Sequence, residues 1–512
     1  MDTKINHIVV VGGGSAGWLT AGLLAAEHGQ QLKISLIESP HINTLGVGEG
    51  TWPSMRNTLQ RIGIEEIDFL RTCDASFKQG SKFINWCNDQ GNDFYYHPFM
   101  SPTGYEHINL HSVWQSQAPH QTFASAINNQ SDVCQAGLAP KQLATPSYAS
   151  VTNYGYHLDA TKFAQLLTTH CTTKLGVNHI QDHIISINND SDDYIQSIET
   201  ESGQTIKGDL FIDCSGLTGL LIGQHYGIKN LSQKHILFND SALAVQVQYE
   251  NDDSPIESAT LSTAVDNGWI WDIGLPSRRG TGHVYSSQYQ TDEQAKETLT
   301  KYLSETIGTE KTQALSFRKI SFEPAYRKKF WHKNVVAVGM SAGFIEPLEA
   351  SALALVELSI SMISEQMPKN REQMAIIEKR FNQRFEYRWQ RIIEFLKLHY
   401  VISKREGKYW DAHKASDSIP SRLQELLTLW KYQTPSRYDL PEQEEIFPSV
   451  SYQYVLYGMG FKTSPVQLSQ EKQKIGAQLI LQNTQKTKQC LDGLPSNRTL
   501  IRSLITQSPK EL

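Results

Sequence analysis

Six residues near the start of the chain, Gly12-Gly13-Gly14-Ser15-Ala16-Gly17, restrict its fold more than any other feature. They follow His7-Ile8-Val9-Val10-Val11, a β-branched run suited to a strand buried on both faces. They precede Trp18 to Ala26, which reads as a helix; a second strand candidate, Leu32 to Ile37, ends at Glu38. Gly12 suits the tight turn, Gly14 lets backbone approach a pyrophosphate, and Gly17 lets helix and strand pack closely. The start of that helix offers free N–H groups and a positive dipole end to phosphate, and Ser15 and Ala16, just before it, are cofactor-binding candidates. Glu38, about 20 residues further on, can accept bonds from a ribose diol. Strand, turn, helix, strand and acid in that order predict a dinucleotide site on a Rossmann-type unit.

Two later segments bear on which dinucleotide it is. Gly208 to Gly216 holds an apolar strand ending in Asp213-Cys214-Ser215-Gly216, and Asn334 to Gly339 is another strand leading to a glycine turn. One nucleotide fold that receives two such returns suits FAD better than NAD. A second glycine fingerprint for NAD(P)H is absent, because Gly458-Met459-Gly460 lacks both the third glycine and the strand context.

Composition narrows the remaining classes. Net charge is −6 and the pI about 6.3, which favours neither nucleic acid nor an anionic membrane as partner. The six cysteines are scattered without a C-x-x-C pair, as expected of reduced thiols in a cytoplasmic protein with neither a disulfide frame nor a bound metal. Met1-Asp2-Thr3-Lys4 passes almost directly into the first strand, so no signal peptide is expected. The most apolar stretch, Val335 to Ile363, carries Glu346, Glu349 and Glu357 and is broken by Gly343 and Pro347, which argues against a membrane span.

Several longer strings resemble the flavin-dependent tryptophan halogenases. Gly12 to Trp18 is similar to that family's opening signature, and Leu45-Gly46-Val47-Gly48-Glu49-Gly50-Thr51 to its second flavin loop. Ser76-Phe77-Lys78, with Phe83-Ile84-Asn85-Trp86 after it, resembles the segment of the active-site lysine. Gly343-Phe344-Ile345-Glu346-Pro347-Leu348-Glu349 resembles that of the active-site glutamate. Tyr96-His97-Pro98-Phe99, Tyr156 to Ala160, Leu398-His399-Tyr400 and Tyr454 to Gly460 continue the likeness. Two departures stand near the chemistry. Trp269-Ile270-Trp271-Asp272-Ile273-Gly274 ends in glycine where the family's W-x-W-x-I-P has proline, and Ala350-Ser351-Ala352 replaces Ser-Thr-Gly.

The resemblance implies a FADH2- and O2-dependent halogenase of an electron-rich aromatic such as tryptophan or indole, with chloride or bromide as co-substrate and a separate flavin reductase. A flavin hydroperoxide would oxidise halide to hypohalous acid, which would cross a tunnel to Lys78. An ammonium there could orient the oxidant by a hydrogen bond, or a free amine could become a haloamine; a desolvated lysine allows either. Glu349 would accept the proton lost from the arene. Glu346 competes for that place on charge alone, since Pro347 suits the first turn of a helix and the dipole there favours any carboxylate. By the same resemblance Ser351 and Ala352 would present halide with their N–H groups. Val47, Gly48, Met340 and Leu353 would contact FAD, and His97 and Phe99 would wall the arene. Alanine at a glycine position is tolerable only while φ stays negative. Trp269 and Trp271 share one strand face and serve either as core or as a wall between flavin and arene. The alternative activity is a two-component aromatic hydroxylase.

The expected architecture is α/β: an FAD-binding Rossmann-type module, flavin monooxygenase-like, over residues 1–370, and a mainly helical substrate-capping lobe over 371–512. A substrate-side sheet is expected to be inserted in the module around Ala242–Tyr249 and Gly268–Gln288. Phe381, Phe385, Trp389, Ile392, Ile393, Leu396 and Tyr400 recur at helical spacing between Gln373 and Ala412, a core stripe. The polar tail after Lys462 reads as surface helix and loop, and a homodimer is allowed.

Overall fold

The computed structural model describes residues 4–41, 48–88 and 93–506. The chain forms two compact units, one from residues 1–75, 158–233 and 323–389, the other from 76–157, 234–322 and 390–512.

The first unit is built on the predicted strand His7–Val11, which lies at the centre of its sheet between Leu210–Asp213 and Lys33–Glu38, parallel to both. Val335–Ala337 and Trp331–His332 extend the sheet beyond Leu210–Asp213, and Asn178–Gln181 extends it beyond Lys33–Glu38. Val9, Val10, Phe211, Ile212 and Leu36 are fully buried, as a parallel sheet covered on both faces requires. The helix Ser15–His28 packs on this sheet with ten of its residues buried, from Ser15 to Ala25. Both strand returns read from the sequence therefore join the sheet of the glycine turn, as a Rossmann-type FAD fold demands.

The second unit carries a seven-stranded sheet in the order Arg318–Ser321, Ser241–Gln248, Arg278–Tyr285, Gly268–Gly274, Thr260–Val265, Gly80–Ile84, Phe94–Pro98. The middle strands match the expected substrate-side sheet to within a residue or two at the start. All neighbours are antiparallel except Gly80–Ile84 on Thr260–Val265. The helical stripe is core throughout, each of its seven residues being 3% exposed or less. It breaks after Val401, and a new helix, Lys408–Lys414, starts behind Gly407, whose φ of +116° ends the earlier period.

One expectation fails at the C-terminus. Gln470–Gly493 is a mostly exposed helix, but Asn497–Thr506 buries Asn497, Leu500, Ile501 and Leu504. An apolar face at i, i+3, i+4 and i+7, diluted by Arg498, Arg502 and the threonines, hides this packing from a reading by composition. Among the described residues no helix is long and apolar enough to cross a membrane.

Candidate active site: a nucleotide cradle and a buried lysine

In the first unit each fingerprint glycine meets a distinct steric demand. Gly12 has φ +113°, and a Cβ there would lie 2.3 Å from the Cys214 carbonyl oxygen. A Cβ on Gly17 would come within 1.8 Å of the Gly12 oxygen, so helix and turn could not approach. Gly14, the helix N-cap, faces open space, with nothing within 4 Å of its Cβ position, and as a glycine it has no side chain with which to cap the first turn. Glu38 lies against the turn: its Oε2 stands 1.5 Å from a Cβ position on Gly13, while Oε1 accepts from His179 Nε2 at 2.7 Å. His179, on the strand Asn178–Gln181, was missed in the sequence because that strand is half exposed and carries no apolar period. An open glycine at the helix start, with an oriented carboxylate beside the turn, fits the pyrophosphate and ribose of FAD.

The strand returns close on the same cradle. Asp213 accepts from Ser215 N, Leu221 N and Ile222 N, which shapes the turn after Cys214. Gly339 takes φ +72°, and a Cβ there would lie 2.8 Å from the Ala16 Cβ, while Met340 Cε lies 3.9 Å from a Cβ position on Gly216. Leu353 is buried in the first turn of Ala352–Glu365. Gly48 opens a short strand, Gly48–Gly50, whereas Val47 lies outside the described residues.

The glutamate segment corrects one local expectation. The helix starts at Ala352, not at Pro347, so Glu349 precedes the Ser351 N-cap and is not in a helical first turn. Residues 347–350 form a turn closed by Ala350 N donating to the Pro347 oxygen at 3.0 Å. Ala350 takes φ +52°, and the Glu349 carbonyl accepts from the Trp52 indole at 2.9 Å. Proline with two nearby acids looks the same in sequence whether it begins a helix or a turn. Ala352, where the family has glycine, is helical and outside the left-handed region, so that substitution strains nothing. Glu346 and Glu349 are both buried, at 1% and 5% exposed. The Ser351 side chain does not cap the helix start behind it.

In the second unit Lys78 ends the strand Ser76–Lys78, which pairs antiparallel with Gly155–Asp159 in the register Lys78↔Gly155. Its side chain is 1% exposed, with Nζ 5.4 Å from the Phe99 ring centroid. Burial first, and then the Lys78 charge, hold His157 well below the usual imidazole range; its Nε2 bonds Thr260 Oγ1 at 2.7 Å. Gln79 places Phe99 by accepting the Phe99 N–H at 3.1 Å, and Asn153 Nδ2 holds the Phe99 carbonyl at 3.0 Å. His97 bonds Ser451 Oγ at 2.9 Å and lies 6.2 Å from the Tyr454 ring. Lys78 and Phe99 thus stand together, and His97 lies two residues before Phe99, on the strand Phe94–Pro98.

Three supports of Lys78 and its neighbours went unread. Gln79 is fully buried beside Lys78, taking Thr152 Oγ1 at 2.6 Å and donating to the Leu138 carbonyl at 2.7 Å. Ser76 Oγ donates at 2.5 Å to the carbonyl of Gly274, the glycine that replaces proline. Asn497, on the last helix, donates to the Phe77 carbonyl at 3.1 Å. A buried glutamine next to a candidate lysine is a readable signal; the other two pair residues about 200 and 420 apart, which no local pattern reports. Trp269 and Trp271 lie 6.5 Å apart at 63°, and Gly282 leaves the room that the Trp271 ring fills.

A glycine turn between a central parallel strand and its helix, with a carboxylate at the end of the next strand, is the arrangement of a dinucleotide-binding protein. The tryptophan halogenase family model matches residues 7–473. The crystal structure of a tryptophan halogenase from Shewanella frigidimarina NCIMB 400 is 51% identical, with a TM-score of 0.96 and 98% of both chains covered. Tar14, a tryptophan C-6 flavin-dependent halogenase (chlorinase) from taromycin biosynthesis, is 30% identical with a TM-score of 0.90, over 98% of this chain and 99% of that one. The tryptophan 7-halogenase RebH of Lentzea aerocolonigenes is 32% identical across 81% of this chain and 80% of its own. The chain belongs to the tryptophan halogenase family and is an enzyme of the flavin-dependent, oxidoreductase type.

Proposed function

We propose that the protein halogenates an electron-rich arene of the tryptophan or indole class, using FADH2 from a separate reductase, oxygen, and chloride or bromide. The observation that carries this reading is the burial of Lys78, 1% exposed and 5.4 Å from the Phe99 ring, in a chain of this family. Lysine is almost never fully buried, because taking an ammonium out of water is costly, so one held beside an aromatic ring in a chain of this family marks a place where a polar species is handled. Gly12, Gly14, Ser15, Ala16, Gly17, Glu38, Val47, Gly48, Met340 and Leu353 would hold FAD. When bound and reduced it supplies, with oxygen, the two-electron oxidation that turns halide into hypohalous acid.

The remaining tasks fall to side chains and backbone of this protein. The Ser351 and Ala352 N–H groups, at a helix start that the Ser351 side chain does not cap, hold the halide as a helix start holds any anion. Lys78 directs the electrophilic halogen, and the faces of His97 and Phe99 bind the arene by burial and offset stacking. Glu349 takes the proton released when the halogenated ring regains aromaticity.

The test supplies FAD, an NADH-driven flavin reductase, oxygen, bromide or chloride, and a panel of indoles including tryptophan, with products read by mass. A bromine or chlorine isotope pattern supports the proposal. A gain of one oxygen identifies a hydroxylase instead, and no product from any arene rejects both.

A further inference from the structure

Two helices of the first unit meet along a polar seam that the proposed chemistry does not use. Ser54, Thr58 and Arg61 recur at i, i+4 and i+7 on Ser54–Arg61; Glu357, Ser361 and Ser364 recur with the same spacing on Ala352–Glu365. Such spacing puts each set on one helix face. Ser54 Oγ donates to Glu357 Oε2 at 2.9 Å and Thr58 Oγ1 donates to Glu357 Oε1. One turn along, Arg61 Nη1 donates to Ser361 Oγ at 3.3 Å and Arg61 Nε to Glu27 Oε1 at 2.8 Å. Ser364 Oγ donates to Glu27 Oε2 and bonds His28 Nε2 at 2.7 Å. Glu357 is 4% exposed, and an acid buried in this seam adds nothing to apolar packing.

Both helices lead directly into the glutamate turn. Trp52, two residues before Ser54, donates its indole N–H to the Glu349 carbonyl at 2.9 Å, and the second helix begins three residues after Glu349. Between these holds stands Ala350 with φ +52°, a conformation that a non-glycine residue keeps only where its surroundings over-determine it. Glu357 sits five residues into the helix, about 7.5 Å along its axis, so a slip at the seam moves the helix start as a rigid body. We infer that Glu357 is a positioning residue: by tying Ala352–Glu365 to Ser54–Arg61 it sets the turn that aims Glu349 and the Ser351 N–H. This inference rests on the role proposed for Glu349.

The carboxyl also brings a pH signature. Burial raises it to about 7, opposed by the Thr58 and Ser54 hydroxyls and the Arg61 charge. Charged groups on the neighbouring helices are Arg56 and Arg61 on one, Glu27 and His28 on the other; Arg61 is paired with Glu27, and His28 bonds Ser364. A carboxyl raised on folding contributes stability fully present below its unfolded value near 4.5 and lost as pH rises through about 7.

The test compares Glu357→Leu, Glu357→Gln and Glu349→Gln in the full chain, with indole and bromide as probes. Melting temperature without flavin is followed from pH 5 to 8. Glu357→Leu should lower kcat about 10–100-fold, the size of a misplaced catalytic group, with the indole KM within about twofold. Its melting temperature at pH 8 should equal or exceed that of the unsubstituted protein, because a desolvated charge is gone. Glu357→Gln keeps partners for both hydroxyls and should restore kcat to within about threefold. It should also lose less melting temperature than the unsubstituted protein between pH 5 and 8. A kcat unchanged in Glu357→Leu, or lowered only in proportion to a lost melting temperature, overturns the inference. If Glu349→Gln abolishes turnover while Glu357→Leu does not, positioning alone fails; if Glu349→Gln turns over normally, the proposed role of Glu349 falls and this inference with it.

Discussion

Lys78 and Glu349 are both buried, yet their units hold them by different means. Lys78 ends a paired strand: its neighbours are fixed by a backbone ladder to Gly155–Asp159 and by Ser76, Gln79 and Asn497 on backbone carbonyls. Glu349 stands on an irregular turn with a left-handed alanine, held by the Trp52 indole and by a side-chain seam one helix turn away. A ladder uses backbone groups that every residue possesses, so side-chain substitutions around Lys78 leave its direction intact. A turn has no such redundancy, and single side chains decide its shape.

The comparison is tested most severely at the lysine itself. Lys78→Ala should reduce halogenation about 10²–10⁴-fold, the usual worth of a positioned acid–base or electrophile-directing group. Flavin binding, read by fluorescence titration, should be unchanged because the cradle is untouched; residual activity above a tenth would remove Lys78 from the mechanism. Next in size is Asn497→Leu. It withdraws two donors, from the Phe77 and Glu257 carbonyls, at a fully buried site and should cost about 1–3 kcal/mol in urea unfolding. The paired strand should nevertheless keep kcat within about threefold when assayed well below the unfolding midpoint, whereas a fall as large as that of Lys78→Ala would show that the ladder does not suffice.

The units also differ in the sign of their response to pH. His157, depressed by burial and by Lys78, contributes stability that is present above its unfolded value near 6.5 and lost as pH falls, because only the unfolded chain then takes the proton. His157→Gln, melted between pH 7 and 5.5, should lose less stability over that window than the unsubstituted protein; Glu357, present in both, acts with the opposite sign between about 4.5 and 7. Equal slopes in variant and parent would sink the assignment. The smallest effect belongs to Ala350→Gly. Relief of the left-handed alanine, about 1–2 kcal/mol, is offset by the unfolded-state entropy of glycine, about 0.5–1 kcal/mol, so the melting temperature should rise slightly or stay level. A clear loss would mean that the alanine methyl packs usefully.

Much of the first unit could be read without coordinates, for a physical reason. The glycine turn, its strand, its helix and Glu38 act on one another within about 30 residues, and each constraint leaves a residue type behind: no Cβ at Gly12, none at Gly17, a carboxylate at the strand end. Placement of Lys78 and Glu349 in sequence came from ordered strings of family likeness, not from any property of a lysine or a glutamate. The start of the helix after Glu349 was misjudged because Pro347 and two acids satisfy a helix N-terminus and a turn equally well. The buried C-terminal helix hides from a reading by composition because its arginines, threonines, asparagine and serine dilute the apolar face.

The amino-acid order by itself determined that the chain binds a dinucleotide on a parallel sheet, that a second sheet and a helical stripe accompany it, and which flavin family it joins. Those properties depend on short-range sterics and periodicity, which are written locally. Only the tertiary structure decided that Asn497 supports Phe77 across 420 positions, that Gly274 receives Ser76, and that Glu357 meets Thr58. A hydrogen bond between distant segments depends on distance and direction after folding, and neither partner carries a local mark of the other.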